Sequence, residues 1–243
     1  MKTYRIRPLP LSIMEFDQTI LTYRVGYGNK MKVANYIFYI EGSEKSIIID
    51  TAADAVQAKQ MRGFTAENVM SFEQALASVN LKPENVDIVV QTHLHWDHCA
   101  NTAKCKNARV IVSEEELKWA NAPHPMFAPG YDQELFRGVN FCIISGRYEL
   151  APGIEMIPAP GHTPGTMAVA VNTVKGKAIV SGFCAVKENF YPPAGAKGNP
   201  PVLITGTDVD PIAAYWSALR IKGMADIIIP VHDVSFKDEK CIP

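Results

Sequence analysis

The chain contains no stretch of about 18 consecutive apolar residues, so no membrane-spanning helix is expected. Residues 1–11 carry Lys2, Arg5 and Arg7 but lack the continuous apolar segment of a secretory signal. An excess of one charge is also missing. The 24 Lys and Arg residues against 25 Asp and Glu give a formal net charge of -1. That provides neither a basic footprint for nucleic acid nor an acidic tail. The five cysteines (Cys99, Cys105, Cys142, Cys184 and Cys241) are odd in number and show no paired spacing. They are expected to be reduced thiols of a cytoplasmic protein. Internal repeats, low-complexity tracts and linkers are absent. What remains is a chain of 243 residues, 47% hydrophobic and 20% charged, able to bury a sizeable core. The expectation is one domain over residues 1–243.

The most informative stretch lies at residues 86–101. Val86, Ile88, Val89 and Val90 read as a buried strand. The strand runs into His93-x-His95-x-Asp97-His98, four potential metal ligands in six residues. Alternation along an extended backbone places His93 and His95 on one side. A turn after them can bring Asp97 and His98 back towards a second ion. Imidazole and carboxylate suit zinc and its neighbours.

Several flanking elements are legible. Val33–Ile40 and Ser46–Asp50 read as a hairpin turning at Glu41-Gly42-Ser43. Asp50, at the end of the second strand, either caps the next loop or orients a metal-bound His from behind. Ser71 to Val79 reads as a helix with a Ser71/Gln74 capping box. Ala108–Val112 reads as a strand, and Ser113 begins a helix with a second box closing on Glu116. Residues 3–25 appear as short apolar stretches broken by Pro8 and Pro10, and residues 54–69 have no clear period. Residues 121–140 crowd Pro123, Pro125, Met126, Phe127, Pro129 and Tyr131 without periodicity. Such a loop suits a lid or pocket wall, which makes Phe127 and Tyr131 candidate substrate contacts; His124 reads as a loop residue. Further strands are expected at residues 141–144, 154–158, 166–171 and 177–181. Asp210-Pro211 opens a helix with Ile212, Tyr215, Trp216 and Leu219 as its buried stripe and Gly223 as its stop. The last strand, Ile227–Pro230, ends at His232-Asp233.

Chemistry-bearing residues recur at strand ends: His93, His95, Asp97, His98, His162 in the Gly161-His162-Thr163-Pro164-Gly165 turn, Cys184 and His232. Five of the 6 His share this setting, which implies one site at one edge of two sheets with helices outside.

The His93-x-His95-x-Asp97-His98 motif, the Gly161–Gly165 turn and the terminal His232-Asp233 resemble the metallo-β-lactamase superfamily, most of all its N-acyl homoserine lactonase group. The resemblance spans roughly residues 33–236. It implies an α/β fold, the αββα four-layer sandwich, and two Zn2+ ions, with Fe or Mn as alternatives. One ion would take His93, His95 and His162; the other would take Asp97, His98 and His232. The implied activity is opening of a small lactone or related cyclic ester or amide by a metal-bound hydroxide, with Asp97 also moving the proton. A homodimer is the implied assembly.

The chain departs from the lactonase pattern at one place. An Asp that bridges both metals is expected after Ser181-Gly182, but the segment reads Ser181-Gly182-Phe183-Cys184-Ala185-Val186-Lys187. This string is similar to β-lactamases whose second zinc is held by Cys and whose Lys, three residues on, grips a substrate carboxylate. Cys184 is therefore either a thiolate ligand or a small buried hydrophobe. Lys187 is either an anion contact or a solvated surface residue. Alternative activities on the same scaffold are iron-dependent redox or dioxygenase chemistry and thioester hydrolysis. A metal-stabilised binding module is the non-enzymatic alternative. The pocket is expected to be built from residues 60–70, 121–140 and 188–205.

Overall fold

The computed structural model describes residues 2–243; Met1 lies outside the described residues. Two β-sheets face each other across a shared core. The first sheet contains seven strands: β1 (Arg5–Asp17), β2 (Lys30–Glu41), β3 (Ile47–Ile49), β4 (Ala66–Asn68), β5 (Ile88–Val90), β6 (Arg109–Ser113) and β7 (Phe141–Ile144), in the order β4-β1-β2-β3-β5-β6-β7. The second contains β8 (Tyr148–Ala151), β9 (Ile154–Pro158), β10 (Met167–Thr173), β11 (Gly176–Val180) and β12 (Ile227–Ile229), in the order β12-β11-β10-β9-β8.

The two-residue strand period explains the layers. Tyr36, Phe38 and Ile40 of β2, Ile47 and Ile49 of β3, and Met167, Val169 and Val171 of β10 point between the sheets. The intervening residues point outwards. Ile37 and Ile48 meet Phe72 and Leu76 of the helix on the first sheet's outer face, and Val79 just after it. Ala168, Ala170 and Ile179 meet Ala218 and Ile221 of the helix on the second sheet's outer face. Both faces of each sheet are thus covered, which gives the expected αββα sandwich.

The helices are α1 (Gln18–Leu21), α2 (Ala55–Arg62), α3 (Phe72–Ala77), α4 (Trp96–Cys99), α5 (Glu114–Asn121), α6 (Lys187–Phe190) and α7 (Pro211–Met224). The β2–β3 hairpin and the Ser71/Gln74 capping box form as expected. Four expectations are corrected. Pro8 and Pro10 do not break the N-terminal stretch, because β4 pairs only with Ser12–Met14 and leaves β1 an edge at both prolines. The unclear stretch after residue 54 forms α2, with an Asp54/Gln57 capping box and Gly63 in a left-handed C-cap. On α7 the buried residues are Ala214, Ser217, Ala218 and Ile221, while Ile212 and Trp216 face solvent at 69% and 61% exposure. Tyr215 and Leu219 of the expected stripe are half-buried and pack against the same core, and the small residues beside them let the helix lie close to the sheet. Gly223 lies inside the last turn of α7, which runs to Met224. No helix among the described residues is long and apolar enough to cross a membrane.

Candidate metal centre

The β5 strand delivers Gln91–His95 in extended form, and α4 begins at Trp96 with His95 as its N-cap residue. Strand geometry carries His93 and His95 to the sheet edge, and the first turn of α4 folds Asp97 and His98 back beside them. The β9–β10 turn brings in His162, and the segment after β12 brings in His232. Six residues assemble into two sets, His93/His95/His162 and Asp97/His98/His232, whose donor atoms lie within 4.8 Å of one another in each set.

In the first set His95 Nδ1 lies 3.2 Å from His93 Nε2 and 3.1 Å from His162 Nε2. In the second, His98 Nε2 lies 3.2 Å from His232 Nε2, with Asp97 Oδ2 at 3.8 and 3.6 Å from them. The partners behind the rings decide which nitrogen carries the proton. His98 Nδ1 donates to Asp50 Oδ2 at 2.7 Å, and His232 Nδ1 to the Ala34 carbonyl at 3.1 Å. Thr92 Oγ1 donates to Asp50 at 2.7 Å and so accepts from His93 Nδ1 at 3.1 Å. His162 Nδ1 faces Asp208 Oδ1 at 3.4 Å. His93, His98, His162 and His232 therefore turn Nε2 inwards, whereas His95 turns Nδ1 inwards and Nε2 towards Gly130. At His98 and His232 two Nε2 atoms face each other at 3.2 Å, an arrangement that a cation between them would satisfy. The donor set fits two divalent ions.

Electrostatics agree with this donor chemistry. Burial, reinforced by neighbouring imidazoles, holds His93 and His95 well below the usual imidazole value. Burial brings His232 down to about 4. For His98 burial acts in the same direction, but Asp97 and Asp50 outweigh it and raise the ring. Burial opposes ionisation of Asp97, yet His98 and His232 hold its carboxyl below the usual range.

His95, Asp97, His98, His162 and His232 form the floor of a cavity of about 330 Å³, with His93 buried beneath them. Its walls are apolar: Met14, Phe16, Leu21, Val33, Phe64 and Trp96, with Met126, Phe127 and Pro129 from the aromatic loop. Phe64 and the 126–130 segment lie in stretches expected to build the pocket. Residues 188–205 do not line it, because Phe190 and Val202 pack into the outer core beneath α7. Strand β1, α1 and β2 supply the wall instead.

Asp50 takes its orienting role, accepting from Thr92 N, Thr92 Oγ1 and His98 Nδ1. Phe127 lines the cavity. Tyr131 does not; its ring packs on His95 at 4.7 Å and its hydroxyl donates to Glu116. His124 stays outside both sets and accepts from the Met126 amide. Lys187 is corrected: its side chain is exposed and absent from the cavity wall, because its backbone amide is tied to Asp233 at the start of α6. Phe183, where the bridging Asp was expected, is buried against Phe190 at 5.7 Å. Cys184 is the residue of that turn that faces the cavity, with Sγ outside both donor sets. Burial first, then Asp97 and Asp208, pushes its thiol up. Asp208 had no sequence signal of its own, since the helix start at Asp210-Pro211 absorbed it.

A family model described as the metallo-beta-lactamase superfamily matches residues 32–182. An N-acyl homoserine lactonase of Bacillus thuringiensis is 23% identical over 253 residues, covering 96% of this chain and 94% of that protein. The crystal structure of a quorum-quenching N-acyl homoserine lactone lactonase superimposes with a TM-score of 0.79 at 22% identity, over 98% of this chain and 95% of that one. A dizinc quorum-quenching lactonase superimposes with a TM-score of 0.68 at 16% identity, over 97% and 88%.

Proposed function

The chain belongs to the metallo-beta-lactamase superfamily, and from that premise we propose that it is a metal-dependent hydrolase opening a small lactone with an apolar substituent. The observation that carries this reading is the pairing of two convergent donor sets with an apolar cavity directly above them. The lactonases similar to this chain, one of them dizinc, support it.

Two zinc ions would be held by His93, His95 and His162 and by Asp97, His98 and His232. When bound, such ions lower the pKa of water towards 7 and polarise a carbonyl. The chain's own residues do the rest. The apolar wall takes the substituent and excludes water, and the absence of Lys or Arg from that wall among the described residues favours a neutral substrate. Asp97, partly exposed to the cavity, takes the proton of the attacking water and returns it to the leaving oxygen. Asp50 and the Ala34 carbonyl keep His98 and His232 turned to the site throughout.

The test is elemental analysis of purified protein together with turnover of neutral lactones, β-lactams and thioesters. Two zinc ions per chain and lactone opening that is lost on chelation are expected. His93→Ala or His162→Ala should remove one ion and abolish turnover. Full activity without metal would overturn the reading, and iron with redox turnover would replace it.

A further inference from the structure

The carboxylate of Glu116 is fully buried, yet it does not complete the capping box its position suggests. The Ser113 hydroxyl accepts from the Glu116 amide, but the Glu116 side chain does not return to the Ser113 amide. It turns away from its own helix. Oε1 accepts from the Leu94 amide at 2.8 Å and from the Tyr131 hydroxyl at 3.2 Å. Oε2 accepts from the Thr163 hydroxyl.

These donors share one property. Leu94 lies between His93 and His95, Thr163 follows His162, and the Tyr131 ring packs on His95. Three separate segments, each carrying or touching a ligand of the first set, therefore end on one carboxylate. None of the three donors belongs to Asp97, His98 or His232; Asp50 lies behind His98 and, through Thr92, behind His93, and the Ala34 carbonyl lies behind His232. The neighbouring backbone is built for this meeting. Ser113 Oγ donates to the Gly165 carbonyl at 2.6 Å. A Cβ on Gly165 would come within 1.9 Å of the Glu116 nitrogen, so only glycine lets the His162 turn seat on the first turn of α5.

We infer that Glu116 is a positioning residue that holds His93, His95 and His162 in register as one metal-binding set. This inference rests on the metal-centre reading above. Burial pushes the carboxyl up, and the Thr163, Leu94 and Tyr131 hydrogen bonds pull against that rise. Removing the carboxylate leaves the buried Leu94 amide and Tyr131 hydroxyl unpaired and leaves the Thr163 hydroxyl with Thr166 alone. Each segment can then drift independently, and three ligands that must converge on one ion lose their common geometry.

The test reads metal binding set by set, without turnover. In a His232→Ala background the remaining Co2+ or Zn2+ ion reports on the first set. In a His162→Ala background it reports on the second. Adding Glu116→Ala should weaken the first-set ion roughly 10- to 100-fold in chelator competition, the scale of losses behind metal ligands, and leave the second-set ion near its parental affinity. Glu116→Gln keeps the shape and one acceptor oxygen and should recover part of the loss; it also decides the matter if Glu116→Ala fails to fold. Unchanged first-set affinity in Glu116→Gln and Glu116→Ala, or equal weakening of both sets, would overturn the positioning role. A parent protein that binds no metal would instead overturn the metal-centre reading and this role with it.

Discussion

At the scale of single residues, the site is assembled by what lies behind each ligand as much as by the ligands. Gly130 illustrates this. A Cβ there would lie 2.8 Å from Cδ2 and Nε2 of His95, so Gly130→Ala must push the ring or the loop aside. Gly130→Ala is expected to cut turnover by about tenfold or more, since small misplacements at a site cost rate steeply, while the melting temperature changes little. Parental turnover in Gly130→Ala would show that the ring yields freely. Cys184 supplies a second test. It faces the cavity, and burial, then its neighbours Asp97 and Asp208, disfavour a thiolate unless a cation is beside it. If Cys184 ligates the second ion, the Co2+ protein should show an intense thiolate charge-transfer band in the near ultraviolet that Cys184→Ser removes. A band that is missing, or that survives in Cys184→Ser, assigns Cys184 to the cavity wall alone.

At the scale of elements, α7 shows how an apolar pattern can mislead. Its sequence offers two stripes: Ile212, Tyr215, Trp216 and Leu219, and Ala214, Ser217, Ala218 and Ile221. The larger side chains read as the buried face. The helix is centred on the second stripe, with Ser217 donating to the Pro160 carbonyl at 2.7 Å and Ala218 and Ile221 against Ile157 and Ile179, while Tyr215 and Leu219 pack at its margin and Ile212 and Trp216 face solvent. Close approach is required because the Asp210 amide bonds the Gly161 carbonyl in the His162 turn, at 2.9 Å, and this ties the start of α7 to that turn. Ile221→Ala should therefore cost about 2–5 kcal/mol of stability. Trp216→Ser should stay within about 0.5 kcal/mol. Chemical denaturation distinguishes the two, and a larger loss for Trp216→Ser would restore the first stripe as the buried one.

For the whole molecule, several buried imidazoles inside one core make stability depend on pH when no metal is bound. His93, His95 and His232 are all held below the ordinary imidazole value of 6.5, His232 at about 4. A folded-state value below the unfolded one means that the unfolded chain binds more protons as the pH falls. Stability is then fully present above about pH 6.5 and declines as the pH falls from there. For His232 alone the loss levels off below about pH 4, after up to about 3 kcal/mol. His98, raised by its carboxylate neighbours, acts in the opposite sense and offsets part of this. The melting temperature of chelator-treated protein should accordingly fall between pH 7 and pH 4.5. A flat profile would count against neutral buried rings.

The residues of the two donor sets were legible in the chain itself. His93, His95, Asp97 and His98 are close in sequence, and the Gly161–Gly165 turn and His232 sit at strand ends, so local backbone geometry is enough to mark them. The alternating β-branched strands and capping residues likewise disclosed the sandwich, because side-chain period and hydrogen-bonding caps are local properties. Tertiary structure alone decided what surrounds those residues. That Glu116 leaves its own capping box, that Asp208 rather than only Asp210 reaches the His162 turn, and that Lys187 points away while β1 and β2 wall the cavity are all long-range outcomes. Each depends on which distant segment a side chain meets, and neither residue type nor spacing carries that information. The small face of α7 is decided the same way, by how near the helix must come to the sheet and not by how apolar its residues are.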